Sequence, residues 1–498
     1  MAISNPGGLL NSVPAARQQT LSTNYLDFTG AGNDWAQQYL PDLMEQEAEV
    51  FGPRTISGFL SKVGAEESMT SDQVVWSEQS RLHLSYTGTV QPTGDVNGTI
   101  TIANDIDGQA VAAGKHGIRV NDMLLIAQAG AVVKALAVET PNSNVITVEP
   151  YAEATLSAAG LTAAACTVLV IGSEFGKGAA YADETGTFKT DSRGANEPSF
   201  KTFTNKPIIM KDYYEVSGSD VSRVGWVEVA AEDGQAGYLW YLKAEADTRA
   251  RFNDHLEMTM LEAEKTVANS IIGFGENSQV RGAADAGANG AGTEGLFAAI
   301  ESRGNITSGI TGVNAATDLA EFDAILAEFD SQGAIEENMM FVNRATSLAM
   351  DDMLASMNSY GAGGTSYGVF DNEEDMALNL GFSGFRRGSY DFYKSDMRYL
   401  NDKATRGGIN SAAGSAAIRG IIVPAGTSTV YDQQLGKNLK RPFLHVRYRA
   451  SQTDNRKMKT WVTGSVGAAT SALDAMQIHM LSERCLVTQG ANNFMLMK

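Results

Sequence analysis

The stretch from Tyr238 to Ile272, YLWYLKAEADTRARFNDHLEMTMLEAEKTVANSII, holds no proline and no internal glycine and is dominated by strong helix formers. It predicts one long helix. Leu242, Phe252, Leu256, Met260, Val267 and Ile271 form a broken apolar stripe. Glu245 with Arg249 and Asp247 with Arg251 stand four apart in the order that favours ion pairing. At 1.5 Å per residue such a helix is a rod of roughly 50 Å, long enough to span a domain.

Upstream of it the pattern is strand-like. The segment FKTFTNKPIIMKDYYEVSGSD, ending at Asp220, resumes an alternation that begins in Arg54–Val90, where Leu82, Leu84 and Tyr86 alternate with Arg81, His83 and Ser85. Together they predict the two arms of a long two-stranded loop. Between them, from about Gln91 to Gly178, aromatics become scarce, and the short apolar runs MLLIA, VVKALAV, NVITVEP and TVLVIG predict a small β-barrel or sandwich inserted in that loop. Met1–Asn33 is polar and Gly/Ser/Thr/Asn-rich, with Pro6 and Pro14, as befits an extended arm. Asp34 can cap a helix through WAQQYLPDLMEQEAEVFG that Gly52 and Pro53 stop.

Downstream, the Gly/Ala-rich loop Gly275–Gly295 leads into a region of α/β type. TDLAEFDAILAEFDSQG reads as an amphipathic helix capped by Thr317 or Asp318, MMFVN as a buried strand and RATSLAMDDMLASM as a second helix. Residues 361–420 are loop-rich, and the remainder reads as strand, turn, strand and a closing apolar segment.

With 498 residues, 43% of them hydrophobic and 19% charged, the chain suffices for about three folding units. Its 58 acidic and 38 basic residues give a formal net charge of -20, opposite in sign to that of a nucleic-acid reader. Cys166 and Cys485 are the only cysteines and lie far apart, which excludes a disulfide framework or a Cys-based zinc site. The N-terminus lacks the unbroken apolar run of a signal peptide, and the apolar stretches fall short of the ~20 residues that span a bilayer.

The motifs that could carry chemistry weaken on inspection. Gly290, Gly292 and Gly295 fit GxGxxG, but no strand precedes them. Gly176 and Lys177 lack the Ser or Thr of a phosphate loop, and Asn104, Asp105, Asp107 and Gly108 lack the distal Glu of a calcium loop. His255 and Glu257, two apart on the long helix, point to different faces. No GxSxG or HExxH is present, so no catalytic residue, cofactor or metal is proposed and the chain is read as a non-enzyme. The cluster Lys437, Lys440, Arg441, Arg447, Arg449, Arg456, Lys457 and Lys459 stands out in an acidic chain and suggests a basic edge that meets the acidic surface of a neighbouring copy.

The order of features, α+β in class, resembles the major capsid protein fold shared by tailed bacteriophages and herpesviruses. IIMKDYYEVSGSD before the long helix and LSERCLVTQGANNFMLM near Lys498 look similar to segments of such proteins, and MAISNPGGLLNSVPAARQQT is similar to the opening of capsid proteins of crAss-like and related phages. The resemblance implies an N-terminal arm (1–33), an N-terminal helix (34–53), and an extended loop (54–217) carrying the inserted β-rich domain (91–178). It further implies a peripheral domain (218–294) with the spine helix 238–272, an axial domain (295–424), and a return to the peripheral domain (425–498). It implies self-assembly into hexamers and pentamers of an icosahedral shell around double-stranded DNA, bound without sequence specificity. The other partners implied are a portal at one vertex, a scaffolding protein and decoration proteins. The resemblance likewise implies no membrane, assembly in the bacterial host cytoplasm and a final place in the virion capsid.

Leu9, Leu21, Tyr25, Phe28, Phe59 and Trp76 are candidate inter-subunit contacts, together with Lys437, Lys440, Arg441, Arg447 and Arg449 of the basic cluster. Two alternatives remain: an encapsulin-like compartment protein of the same fold, and a secreted β-rich hydrolase or adhesin. The latter should carry a signal peptide and a carboxylate constellation.

Overall fold

The computed structural model describes residues 58–60, 65–78, 83–92, 98–140, 143–178, 201–223, 229–230, 236–237, 239–266, 292–357, 383–425, 427–432, 437–466 and 469–498. The expected arm (1–33) and N-terminal helix (34–53) lie outside these residues. Ser77–Thr202 form one compact unit, and the flanking parts of the chain form the other.

The strands follow in chain order. β1 (Ala65–Met69) and β2 (Val74–Glu78) come first, followed by β3 (Ser85–Gln91), β4 (Gly98–Asp105), β5 (Asp122–Gln128), β6 (Ala131–Glu139), β7 (Val145–Pro150) and β8 (Ala165–Ser173). β9 (Lys201–Asn205), β10 (Ile208–Ser217) and the two-residue strands β11 (Val229–Ala230) and β12 (Ala236–Gly237) precede the long helix Leu239–Glu262. Next are β13 (Asn305–Thr307), β14 (Glu337–Val342), β15 (Ser383–Arg387), β16 (Tyr390–Asp396) and β17 (Gly420–Pro424). The last are β18 (Thr427–Asp432), β19 (Lys437–Pro442), β20 (Leu444–Arg449), β21 (Lys459–Gly464), β22 (Ala475–Thr488) and β23 (Met495–Met497).

The inserted unit is a closed barrel in the order β3-β4-β7-β6-β5-β8. Alternation along each strand turns Val90, Ile100, Ile102, Leu124, Ile126 and Val148 inward, where they are fully buried. The barrel starts at Ser85, not near Gln91, because Tyr86 and Val90 belong to this interior. The alternation read as an arm of the loop is thus its first strand. Gly88 sits at a register shift against β4, where an added Cβ would lie 2.4 Å from the Thr101 carbonyl oxygen.

In the other unit, β22 is the shared strand of a five-stranded sheet, β1-β20-β22-β10 with β21 also on β22. β1 runs parallel to β20, and the remaining pairs are antiparallel. β1 and β10, both expected in the extended loop, are members of this sheet; of the expected two-stranded loop, β2 and β9 pair with each other. The long helix lies against the sheet, with Phe252 and Leu256 packed on Met480, Met210 and Met458. It ends at Glu262, short of Ile272. The Ala263 carbonyl, which a continuing helix would use at position 267, accepts the Gly295 N–H instead at 2.7 Å.

A mixed six-stranded sheet, β13-β23-β17-β14-β16-β15, carries the α/β part. Helices Ala315–Gln332 and Arg344–Met357 cover it, burying Phe322, Ile325, Phe329, Met350 and Met353 against Met340, Val342 and Phe392. The N-cap of the first helix is Asn314, not Thr317 or Asp318: the Asn314 side chain accepts the Thr317 N–H at 3.0 Å, and Asp318 is drawn inward to accept the Gly312 N–H at 2.8 Å. β23, expected in the return to the peripheral domain, inserts between β13 and β17 because Met495, Leu496 and Met497 are all buried there.

Candidate assembly surfaces

Among the described residues no three of His, Cys, Asp and Glu converge on a space that could hold a metal ion. Glu257 is instead a structural anchor. Its carboxylate accepts the backbone N–H of Gly58 at 2.7 Å and of Leu60 at 2.8 Å, and burial raises its pKa. Gly292 and Gly295 let the chain pass close to the end of the long helix, since a Cβ on Gly295 would lie 2.8 Å from Ala263 nitrogen and oxygen. That close approach, not a pyrophosphate, accounts for two of the glycines; Gly290 lies outside the described residues. Asp105 and Gly108 form a local turn, in which Asp105 also accepts the Gln109 N–H at 2.7 Å.

A hollow of about 800 Å3 is lined by Met258, Tyr399, Arg406 and Ile409, among others. There Glu262 accepts from the Tyr399 hydroxyl and the Arg406 guanidinium, each at 2.8 Å. Burial and the Glu262 carboxylate push the Tyr399 phenol far above its ordinary range, so it stays a protonated donor and no nucleophile.

Of the expected contact residues, Leu9, Leu21, Tyr25 and Phe28 lie outside the described residues. Phe59 packs edge-on against Phe341, ring centroids 4.6 Å apart, in the core of its own chain. Trp76 is buried beside Phe203 at 6.1 Å, with the Arg303 guanidinium 4.6 Å from the Phe203 ring centroid and 5.7 Å from that of Trp76. Both rings are taken up within the subunit.

The basic cluster is also engaged at home. Arg447 pairs with Glu67 at 2.8 Å, Arg449 with Glu483 at 3.0 Å and with Asp72, Arg456 with Glu483 at 2.6 Å, and Lys457 with Glu66. Lys459 pairs with Asp454 at 2.8 Å. These ion pairs clamp β1 and the turn after it to the five-stranded sheet. The partners escape a reading along the chain because Arg449 and Asp72 are 377 positions apart. Lys437, Lys440 and Arg441 lie on β19, in a hairpin with β18 that no third strand joins among the described residues.

Two further features bear on contact with a partner. One is this hairpin, since a two-stranded ribbon alone is marginally stable in water. The other is β10, ten residues long, which among the described residues pairs only with β22 and so stands at an edge of the sheet. The edge position of β10 follows from a pairing with β22 that is distant in the chain, whereas the hairpin joins adjacent segments.

No family model and no curated protein matches the sequence. Solved structures do. A chain from Microbacterium phage Oxtober96 is similar over 95% of this chain and 99% of its own, at 10% identity and a TM-score of 0.36. A chain from the capsid of an empty GTA particle is similar over 94% of this chain and 97% of its own, at 10% identity and a TM-score of 0.33. A chain from Mycobacterium phage Ogopogo matches over 64% of this chain and 82% of its own, at 11% identity and a TM-score of 0.32. The matched chains come from phages and from a GTA capsid. At these TM-scores the backbones diverge too far to transfer any residue's role, and the functional reading draws on the architecture of the chain itself.

Proposed function

We propose that the chain is the major capsid protein of a tailed bacteriophage, assembling into hexamers and pentamers of a closed icosahedral shell around double-stranded DNA. The observation that carries this reading is the body of the molecule. A long helix lies on a sheet built from residues 65–69, 208–217 and 444–488, next in the chain comes a mixed sheet with its own helices, and a closed barrel is inserted upstream. This order supports the reading of peripheral, axial and inserted parts that the sequence resemblance implies.

In this reading function resides in surfaces, and each copy sums many modest contacts with its neighbours into a stable shell. The subunit contacts a portal at one vertex, a scaffolding protein during assembly and decoration proteins afterwards. It is made in the host cytoplasm and ends in the virion. Its acidic surface lets it enclose DNA without adhering to it. Expression of the full chain followed by negative-stain microscopy and sedimentation tests the proposal: closed shells or capsomer-sized rings are expected, and monodisperse monomers at all concentrations would refute it.

A further inference from the structure

On the sheet face opposite the long helix, Tyr213 of β10, His479 of β22 and Trp461 of β21 form one cross-strand row, because Tyr213 and Trp461 both pair with His479. The rings stack at centroid separations of 5.8 and 5.1 Å, with interplanar angles of 27° and 16°. Thr463 fixes His479 by a 2.6 Å hydrogen bond between its hydroxyl and Nε2. Among the described residues neither β10 nor β21 pairs with a further strand on its outer side. Tyr213 remains 42% exposed and Ile209, on the same face, 54%.

The charges around the row are almost all satisfied. Asp212 pairs with Arg251 at 3.9 Å, Lys459 with Asp454, and Glu215 accepts from Gln477. Lys211 is the exception: it is exposed, stands two residues from Tyr213, and forms no ion pair among the described residues. An aromatic row beside a cation that has no ion pair among the described residues fits a partner that offers apolar surface and a carboxylate. In a chain of net charge -20 carboxylates are plentiful; residues 315–343 hold seven acids and no Lys or Arg, and of these Glu336 and Glu337 are exposed. A nucleic-acid strand would meet one free lysine against that overall negative charge.

We propose that this face is a contact surface for a second copy of the chain, whose acid-bearing segment covers the Tyr213–His479–Trp461 row and pairs with Lys211. The inference rests on the shell reading and names one of its interfaces. It is tested by lysine acylation with mass-spectrometric readout, on subunits held below their assembly concentration and on assembled particles. Lys211 should react in subunits and be protected at least tenfold in particles. In parallel, Lys211→Glu should raise the concentration needed for assembly at least tenfold without lowering the thermal midpoint of the subunit, and Lys211→Arg should assemble at the wild-type concentration. Particles that form with Lys211 equally reactive, or a Lys211→Glu variant that assembles at the wild-type concentration, overturn this surface and leave the shell reading standing. Protection of Lys211 by added DNA in unassembled subunits overturns it in favour of a nucleic-acid face. Failure of the wild-type chain to form any assembly refutes the shell reading and this inference with it.

Discussion

Asn205→Ala should open the body of the molecule and leave the barrel unaffected. The Asn205 side chain is buried at the end of β9 and serves five polar groups. Nδ2 donates to the Leu486 carbonyl at 2.6 Å and the Glu294 carbonyl at 3.0 Å, while Oδ1 accepts from the N–H groups of Glu294 and Lys206, each at 2.9 Å, and from the Thr293 hydroxyl at 3.1 Å. The bonds to Leu486 and Thr293 are shielded from water, so truncation strands at least these two groups. At about 1–3 kcal/mol for each unsatisfied buried group, the loss is about 2–6 kcal/mol.

The two cysteines make this measurable, because Cys166 lies in β8 of the barrel and Cys485 in β22, next to Leu486. Burial raises the pKa of both thiols, that of Cys485 to about 12, so each reacts with a thiol reagent at pH 8 only when its surroundings open. With about 1.4 kcal/mol per decade, Asn205→Ala should accelerate native-state labelling of Cys485 by roughly 30-fold to 10⁴-fold and leave Cys166 unchanged. Gln128 is the matched control. It too bonds both ways, to Thr162 and Ala165, but at the surface, where water replaces what is lost. Gln128→Ala should cost less than about 1 kcal/mol and speed Cys166 labelling less than about fivefold. The reasoning fails if Asn205→Ala changes Cys485 labelling by less than tenfold, or accelerates both thiols alike.

Three further outcomes follow from single sites. Gly464 has φ +132°, and a Cβ there would lie 1.8 Å from the Ala475 carbonyl oxygen, so Gly464→Ala should cost more than about 1 kcal/mol in urea unfolding of the subunit. Glu483→Gln leaves Arg449 and Arg456 without the carboxylate they share and should cost about 2 kcal/mol, below the value for a fully buried pair because both guanidiniums are partly exposed. The folded state raises the pKa of Glu257 above 4.5, so between that value and its folded pKa the native state holds more protons than the unfolded one. This contribution to stability is full below about pH 4.5 and is lost as pH rises; denaturation midpoints should show that decline in the wild type and lack it in Glu257→Gln.

Local periodicity carried much of the fold and little of the surface. The long helix, the barrel strands with their inward Ile and Val residues, and the helix Ala315–Gln332 all announce themselves within a window of a dozen residues. What stayed illegible depends on partners far along the chain. Nothing near Glu66, Glu67 or Asp72 shows that they neutralise Arg447, Arg449 and Lys457, and nothing near Phe59 shows that Phe341 will receive it. The long helix stops early because of Gly295, and β23 is three apolar residues without a period to detect. Tyr213, His479 and Trp461 become a row only once three strands are in register. A cap is a local feature, yet even there Asn314 was hidden behind Thr317 and Asp318, which are equally good capping residues.

The placement of β22 and β23 bears on how the protein is made. β22 is the strand on which β10, β20 and β21 all pair, and β23 bridges β13 and β17 in the other sheet. Residues made hundreds of codons earlier must therefore wait, with their apolar faces uncovered, until positions 475–497 have cleared the ribosome. A product stopped before them would lack the central strand of one sheet and a bridging strand of the other. Such a fragment would present to other chains the strand edges and apolar faces that these last segments cover.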